Sequence, residues 1–269
     1  MSIFSDDRLD QILAEVQSIA KEAGAFIRQE RLNFKQSKVE HKGFNDLVSY
    51  VDKEAEKLIV QRLEKLLPEA GFITEEGTNT TQSDSLNWII DPLDGTTNFI
   101  HALPVFSVSI GLEQKGKVIL GVVYEVNRSE CFSARKAGGA FCNDERIEVS
   151  PAPDLSASLL ATGFPYYDFE QIDKYLFALK GLMQKTHGLR RMGSAAVDLA
   201  YVACGRFEGY FEYNLNSYDV AAGIILVQEA GGKVTDFSGG ENYLFGREVV
   251  ASNGQIHSEF LSEVESIWT

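Results

Sequence analysis

The run Trp88-Ile-Ile-Asp-Pro-Leu-Asp-Gly-Thr-Thr-Asn-Phe99 constrains this chain more than any other stretch. Three apolar residues lead into Asp91, a proline follows, and a second carboxylate, Asp94, stands directly before Gly95. Residues of that kind form a buried strand, and the Pro and Gly end it in a tight turn. The expectation is that both carboxylates project from the turn rather than along the strand. Gly95, Thr96 and Thr97 then offer consecutive N–H groups and hydroxyls, the ingredients of an anion-binding nest. Carboxylates that collect a hard cation, beside N–H groups that collect phosphate, point to metal-assisted phosphoryl chemistry.

The charge balance sharpens that reading. With 25 Lys and Arg against 39 Asp and Glu, the 269-residue chain carries a formal charge of -14. Such a chain lacks the basic field of a general nucleic-acid binder, so no direct nucleic-acid contact is expected. It also repels a phosphorylated substrate unless bound cations invert the local field, so the phosphatase and metal readings stand or fall together. At this length the chain makes one large domain or two sharing a boundary. Cys131, Cys142 and Cys204 are too few and too scattered for a disulfide framework or a zinc cluster, and read as reduced, packed thiols. The N-terminus lacks the basic start and apolar run of a signal peptide, and no segment has the length of a membrane span. A cytoplasmic protein is expected.

Periodicity divides the chain. Helical spacing covers residues 6–31, with Leu9, Ile12, Val16 and Ile19 on one stripe, and residues 51–67, closed by Pro68. Strand-like runs follow at 72–76, 87–90, 105–112, 118–126 and 131–134. Ser150-Pro-Ala-Pro-Asp154 is the best linker candidate. Beyond it, strands at 159–164, 188–192, 209–213, 233–237 and 249–252 alternate with helices at 169–186, 194–204, 219–230 and 256–267. A more antiparallel α+β first half and an alternating α/β second half predict stacked α and β layers, divided into 1–150 and 151–269.

Further carboxylates stand where a solvated face explains them poorly. Glu75 and Glu76 leave a short strand just before Gly77. Asp219 precedes Val-Ala-Ala-Gly-Ile-Ile-Leu-Val, a run too apolar for an exposed helix, and reads as the cap of a buried one. Taken singly, Glu-Glu-Gly is an ordinary turn and Asp219 an ordinary cap. An EF-hand is excluded, since its loop needs acids at alternate positions.

Residues 88–99 resemble the first signature of the inositol monophosphatase family of magnesium-dependent, lithium-sensitive phosphatases. Tyr218-Asp-Val-Ala-Ala-Gly, followed by Glu229-Ala-Gly-Gly232, resembles the second, and Glu75-Glu76 lies upstream at the distance the family leads one to expect. Two departures are visible: Tyr218 where Trp is usual, and Thr74 where Gly or Ser often precedes the acidic pair. The resemblance implies a layered α/β/α/β/α sandwich of the sugar-phosphatase type and a homodimer. It implies two or three Mg²⁺ ions per subunit: Glu75, Asp91 and the Leu93 carbonyl at the first, Asp91, Asp94 and Asp219 at the second, and a weaker third near Glu75. Residues 1–150 would carry most of these ligands and 151–269 would complete the site.

By the same resemblance Thr96 orients the attacking water with Asp52 as its partner, while Gly95 and Thr96 N–H groups hold phosphate oxygens. Asp94, Glu212 and Ala195 would line the substrate side. Asp52 alone reads equally as a helix cap, and Glu212, between Phe211 and Tyr213, equally as an exposed strand position. Lys42, beside Gly43, is a phosphate-side charge or an ordinary loop lysine. Arg190 and Arg191 fit a second phosphate or a subunit contact.

The implied activity is hydrolysis of a small polyol or sugar phosphate, inositol 1-phosphate first, without a phosphoenzyme. NADP(H) and fructose 1,6-bisphosphate are alternatives on the same site. A non-catalytic or moonlighting partner of the transcription machinery is the reading of another class. A haloacid-dehalogenase-type phosphatase is disfavoured, because its aspartates are two apart and here they are three apart across a proline.

Overall fold

The computed structural model describes residues 3–34, 39–43, 46–165 and 169–268. The first helix, α1 (Asp6–Asn33), starts where Ser5 Oγ accepts from the Arg8 N–H, and buries the stripe anticipated from the sequence. A short antiparallel hairpin, β1 (Val39–Gly43) with β2 (Asp46–Ser49), leads into α2 (Tyr50–Leu66).

Seven strands make the larger sheet: β3 (Gly71–Thr74), β4 (Asn87–Asp94), β5 (Ser107–Gln114), β6 (Lys117–Glu125), β7 (Glu130–Arg135), β8 (Gly139–Cys142) and β9 (Glu145–Ile147). They lie in chain order, with β3 parallel to β4 and every other pair antiparallel. Between β4 and β5 sits the short α3 (Thr96–Ile100). The β1–β2 and β8–β9 hairpins were not expected. The β8–β9 turn runs through Asn143 and Asp144, both in the left-handed region, in place of the Asn-Gly that would have announced it.

The second half supplies β10 (Leu159–Thr162), α4 (Ile172–Lys185), β11 (Gly188–Arg190), α5 (Ala195–Ala203), β12 (Gly209–Tyr213), α6 (Ser217–Glu229), β13 (Lys233–Thr235), β14 (Glu248–Ser252) and α7 (His257–Trp268). Its sheet is mixed, in the order β11-β10-β12-β14-β13. The strands around β10 are parallel and those pairing with β14 antiparallel.

Strand alternation distributes side chains into three cores, which define the layers. Trp88 and Ile90 of β4 pack with α1 and α2, whereas Ile89 faces α5 and α6. On β12, Tyr210 faces α5 and α6, and Phe211 and Tyr213 face α4 and α7. The order is therefore α1/α2, seven-stranded sheet, α5/α6, five-stranded sheet, α4/α7, the layered α/β/α/β/α sandwich expected from the resemblance. The middle helix layer serves both sheets. Its α6 lies close against β5 and β6 because Gly111 and Gly121 present no side chain there; a Cβ on Gly121 would stand 2.8 Å from the Ala222 backbone.

Two local expectations change. β4 continues through Asp94, so both aspartates belong to the strand and not to a turn beyond it. Pro92 is accommodated because the pairing with β5 is irregular between Asp91 and Asp94, which frees the missing N–H of a partner. Asp219 is not the cap of α6 but its third residue; Asn216 is the cap, and Asp219 Oδ2 accepts from the Asn216 N–H at 2.6 Å.

Candidate active site

The end of β4, the start of α3, the N-terminus of α5, the end of β12 and the N-terminus of α6 converge on one cavity of about 310 Å³. Glu75, Asp91, Asp94 and Asp219 all line it. Each is placed by the local chain. Glu75 follows β3, on a loop tied down from below by Glu56, a fully buried residue of α2. Glu56 Oε2 accepts from the Glu76 N–H at 2.8 Å, and Oε1 from the Thr78 N–H at 2.7 Å. Asp91 Oδ1 accepts from the Leu93 N–H at 2.9 Å. Asp94 Oδ2 accepts from Ser194 Oγ at 2.6 Å and from the Ala196 N–H at 2.7 Å, at the positive end of α5.

Their electrostatics follow from crowding. Burial, then the charges of Glu75, Asp94 and Asp219, push the Asp91 carboxyl well above the usual carboxylate range. Asp94 is pushed up to about 6 by burial, held back by its bonds to Ser194 and Ala196. Burial and the Asp94 charge raise Asp219 well above its ordinary value. Among the described residues no three acidic, imidazole or thiol groups already form a closed ligand cluster. The donor chemistry nonetheless suits a hard cation: four carboxylates and Leu93, whose carbonyl is a further oxygen donor, line one cavity. A divalent ion there would offset the mutual repulsion of these carboxylates.

Gly95, the cap of α3, adopts a left-handed φ of 96° that turns the chain beside Asp94. Thr96 Oγ1 lies 2.7 Å from Asp52 Oδ1 and 3.0 Å from the Leu93 carbonyl. A hydroxyl has one proton, so donation to Asp52 leaves the Leu93 oxygen free to face an ion. Asp52 is not the cap of α2 but its third residue; Ser49 is the cap. Asp52 closes the capping box of α2 with Ser49, and it backs Thr96 from behind the cavity wall, itself only 1% exposed. Burial raises its pKa against the pull of the Ser49 and Thr96 hydrogen bonds.

Glu212 and Ala195 line the same cavity. Glu212 is not an exposed alternating position; it is 8% exposed and turns inward like Tyr210, whose hydroxyl it accepts. Burial pushes Glu212 up to about 7, with Tyr210 and the Arg191 charge opposing. Arg191 lines the cavity and stacks on Phe164, 5.6 Å from guanidinium carbon to ring centroid. Arg190, exposed on β11, and Glu76 do not line it. Lys42 lies on β1 with its side chain outside the described residues.

Comparison with known proteins decides the relationship. The inositol monophosphatase family profile matches residues 8–269. The chain belongs to the inositol monophosphatase family.

It is 40% identical to the inositol-1-monophosphatase of Mesorhizobium japonicum over 247 residues, 91% of this chain and 93% of that protein. It is 41% identical to a putative Nus factor SuhB of Neisseria meningitidis over 248 residues, 92% of this chain and 95% of that protein. The crystal structure of the extragenic suppressor protein suhB of Bartonella henselae superposes with a TM-score of 0.89 at 39% identity, covering 95% of this chain and 98% of that one. Inositol monophosphatases are generally metal-dependent, in keeping with the all-oxygen donor set.

Four residues of this family member were given no individual role from the sequence, although Gly163 and Ser194 delimit loops, 163–168 and 190–194, whose shape was expected to set specificity. Ser194 orients Asp94, and Glu56 anchors the Glu75 loop. Gly163 lies directly against the Glu212 carboxyl, where a Cβ would meet Oε2 at 1.8 Å. Asp198, in the first turn of α5, also lines the cavity. In sequence each looks like an ordinary cap, surface acid or loop glycine, because the contacts that distinguish them join segments far apart in the chain.

Proposed function

We propose that this protein is a Mg²⁺-dependent phosphomonoesterase acting on a small polyol phosphate, with inositol 1-phosphate as its first substrate. The observation that carries the reading is the convergence of Glu75, Asp91, Asp94 and Asp219 on one cavity, with Thr96 hydrogen-bonded to Asp52 at its edge. Glu75, Asp91 and the Leu93 carbonyl would hold one Mg²⁺ and Asp91, Asp94 and Asp219 a second, with a weaker third near Glu75. When bound, these ions neutralise the phosphate and activate water.

The chain's own groups do the rest. Thr96 Oγ1, donating to Asp52 Oδ1, directs its lone pairs outward and accepts a hydrogen bond from the attacking water. As the water attacks phosphorus, its proton passes to Thr96 Oγ1 while the threonine proton moves to Asp52 Oδ1. The N–H groups of Gly95 and Thr96 hold the phosphate oxygens as charge builds on them. Glu212 and Ala195 seat the alcohol portion. A second water protonates the leaving alkoxide, and the hydroxide it leaves is neutralised by the proton held on Asp52, so the products are the free alcohol and inorganic phosphate, without a phosphoenzyme.

The test is phosphate release from inositol 1-phosphate, NADP and fructose 1,6-bisphosphate in parallel, with and without Mg²⁺. The reading expects Mg²⁺-dependent release and the highest kcat/KM for the inositol ester. Preference for NADP or the bisphosphate would keep the reaction and replace the substrate. A second reading is favoured by the names of relatives called Nus factor: a role beside the transcription apparatus. Retention of all four carboxylates supports catalysis as the primary role, and an inert protein in every arm would favour the second reading. Pairing into a homodimer is part of the proposal, checked by light scattering.

A further inference from the structure

Asp198 is the one acid at the cavity that the proposed reaction leaves without work. It is 1% exposed, yet it lines the cavity. Its Oδ1 is buried with no hydrogen-bond partner among the described residues. Burial, then the Glu212 and Asp94 charges, press against its ionisation. A buried carboxyl left unsatisfied destabilises a fold by about 1–3 kcal/mol. On the same cavity, Asn214 offers a buried Nδ2 that also lacks a partner, while its Oδ1 is held by Arg247. The cavity wall therefore carries an acceptor and a donor beyond those that the protein satisfies internally.

We propose that Asp198 is a specificity-determining residue that hydrogen-bonds a hydroxyl of the substrate's alcohol portion, making a second hydroxyl subsite beside Glu212. The inference rests on the phosphomonoesterase reading for the identity of the substrate. A hydroxyl fits better than an ammonium group for two reasons. The Arg191 guanidinium already supplies the local positive charge to both Asp198 and Glu212. A hydroxyl also donates and accepts, so it satisfies Asp198 in either protonation state and can take the Asn214 N–H, whereas an ammonium only donates. Two acids and an amide around one ring select a ligand with several hydroxyls over a simple alkyl or aryl ester.

The experiment compares the wild type with Asp198→Ala and the near-isosteric Asp198→Asn on inositol 1-phosphate and p-nitrophenyl phosphate, with Mg²⁺. For Asp198→Ala the ratio of kcat/KM for the inositol ester to that for the aryl ester should fall about tenfold, carried by KM, the worth of one buried hydrogen bond. Melting temperature should hold or rise in Asp198→Ala, since an unsatisfied carboxyl is removed. Binding of free inositol, followed by saturation-transfer NMR, needs no turnover and should be lost in Asp198→Ala. Equal losses on both esters, or inositol binding unchanged by the substitution, would overturn the proposal. Wild type that hydrolyses neither ester would overturn the phosphatase reading, while inositol binding that depends on Asp198 would still support the subsite.

Discussion

Single residues decide what this cavity can do, and several can be tested one at a time. Glu212 and Gly163 form such a pair. A methyl at position 163 would occupy the space of the Glu212 carboxyl, which is the movable end of a flexible side chain. Gly163→Ala should therefore leave the melting temperature within a few degrees while displacing Glu212. The kcat/KM ratio of inositol 1-phosphate to p-nitrophenyl phosphate should drop; an unaltered ratio would mean that Glu212 does not seat the alcohol. A second residue-scale prediction concerns stability. His257 is buried between Thr235 Oγ1 and Ser252 Oγ, and burial, then the Lys233 charge, pushes its pKa down to about 4. The unfolded chain takes up that proton near pH 6.5 and the folded one only near 4, so the contribution is whole above about 6.5 and is lost as pH falls towards 4. By pH 5 it should have cost on the order of 2 kcal/mol. Urea unfolding at pH 7.5 and pH 5 should show a smaller drop for His257→Gln than for wild type; identical drops would assign the acid sensitivity to carboxylates.

Elements place these residues, and at this scale sequence and structure can be compared most fairly. Long amphipathic helices and apolar strands were legible because burial imposes a period on them, as in Leu9, Ile12, Val16 and Ile19 of α1. The β8–β9 hairpin was not, since two short strands joined by Asn143-Asp144 show neither a period nor the usual glycine. Asp91 and Asp94 were found by their spacing but set on the wrong element, because only the irregular pairing with β5 lets a strand run through Pro92. The roles of Thr96 and Asp52 came from family resemblance; no rule of spacing would join residues 44 apart. Glu56 was invisible for the same reason, and it supports a prediction at the level of the loop it carries. Glu56→Ala strips acceptors from the Glu76 and Thr78 N–H groups and should cost about 1–3 kcal/mol. The Mg²⁺ concentration for half-maximal activity should rise roughly 10–100-fold, the usual effect of losing a group that orients a ligand, with Glu56→Gln intermediate. Lower stability with an unchanged Mg²⁺ requirement would make Glu56 a structural residue only.

Across the whole molecule, a chain of charge -14 concentrates six of its acids at one cavity where its α and β layers meet. That concentration opposes folding until cations bind, so stability and activity should share one dependence. Mg²⁺ binding the native state alone would add about 2.7 kcal/mol at a hundred times its dissociation constant. The melting temperature should climb with Mg²⁺ and hardly respond to NaCl of equal ionic strength. Without Mg²⁺, Asp94→Asn should melt at or above the wild-type temperature, since one repulsive charge is gone and little volume changes; a much lower melting temperature would show that Asp94 holds the fold rather than an ion. The middle helix layer, packed against both sheets, explains why Asp94 and Asp219 need not drift apart when that repulsion is greatest.

The most direct measurement is a Mg²⁺ titration of phosphate release from inositol 1-phosphate, run side by side on wild type and Asp94→Asn, with calorimetry of Mg²⁺ binding to both. The account predicts saturable, Mg²⁺-dependent release by the wild type, with binding in the same concentration range. Asp94→Asn should fold, bind Mg²⁺ more weakly and turn over at background. Full activity in Asp94→Asn, or wild-type release that persists after chelation of divalent ions, would contradict it.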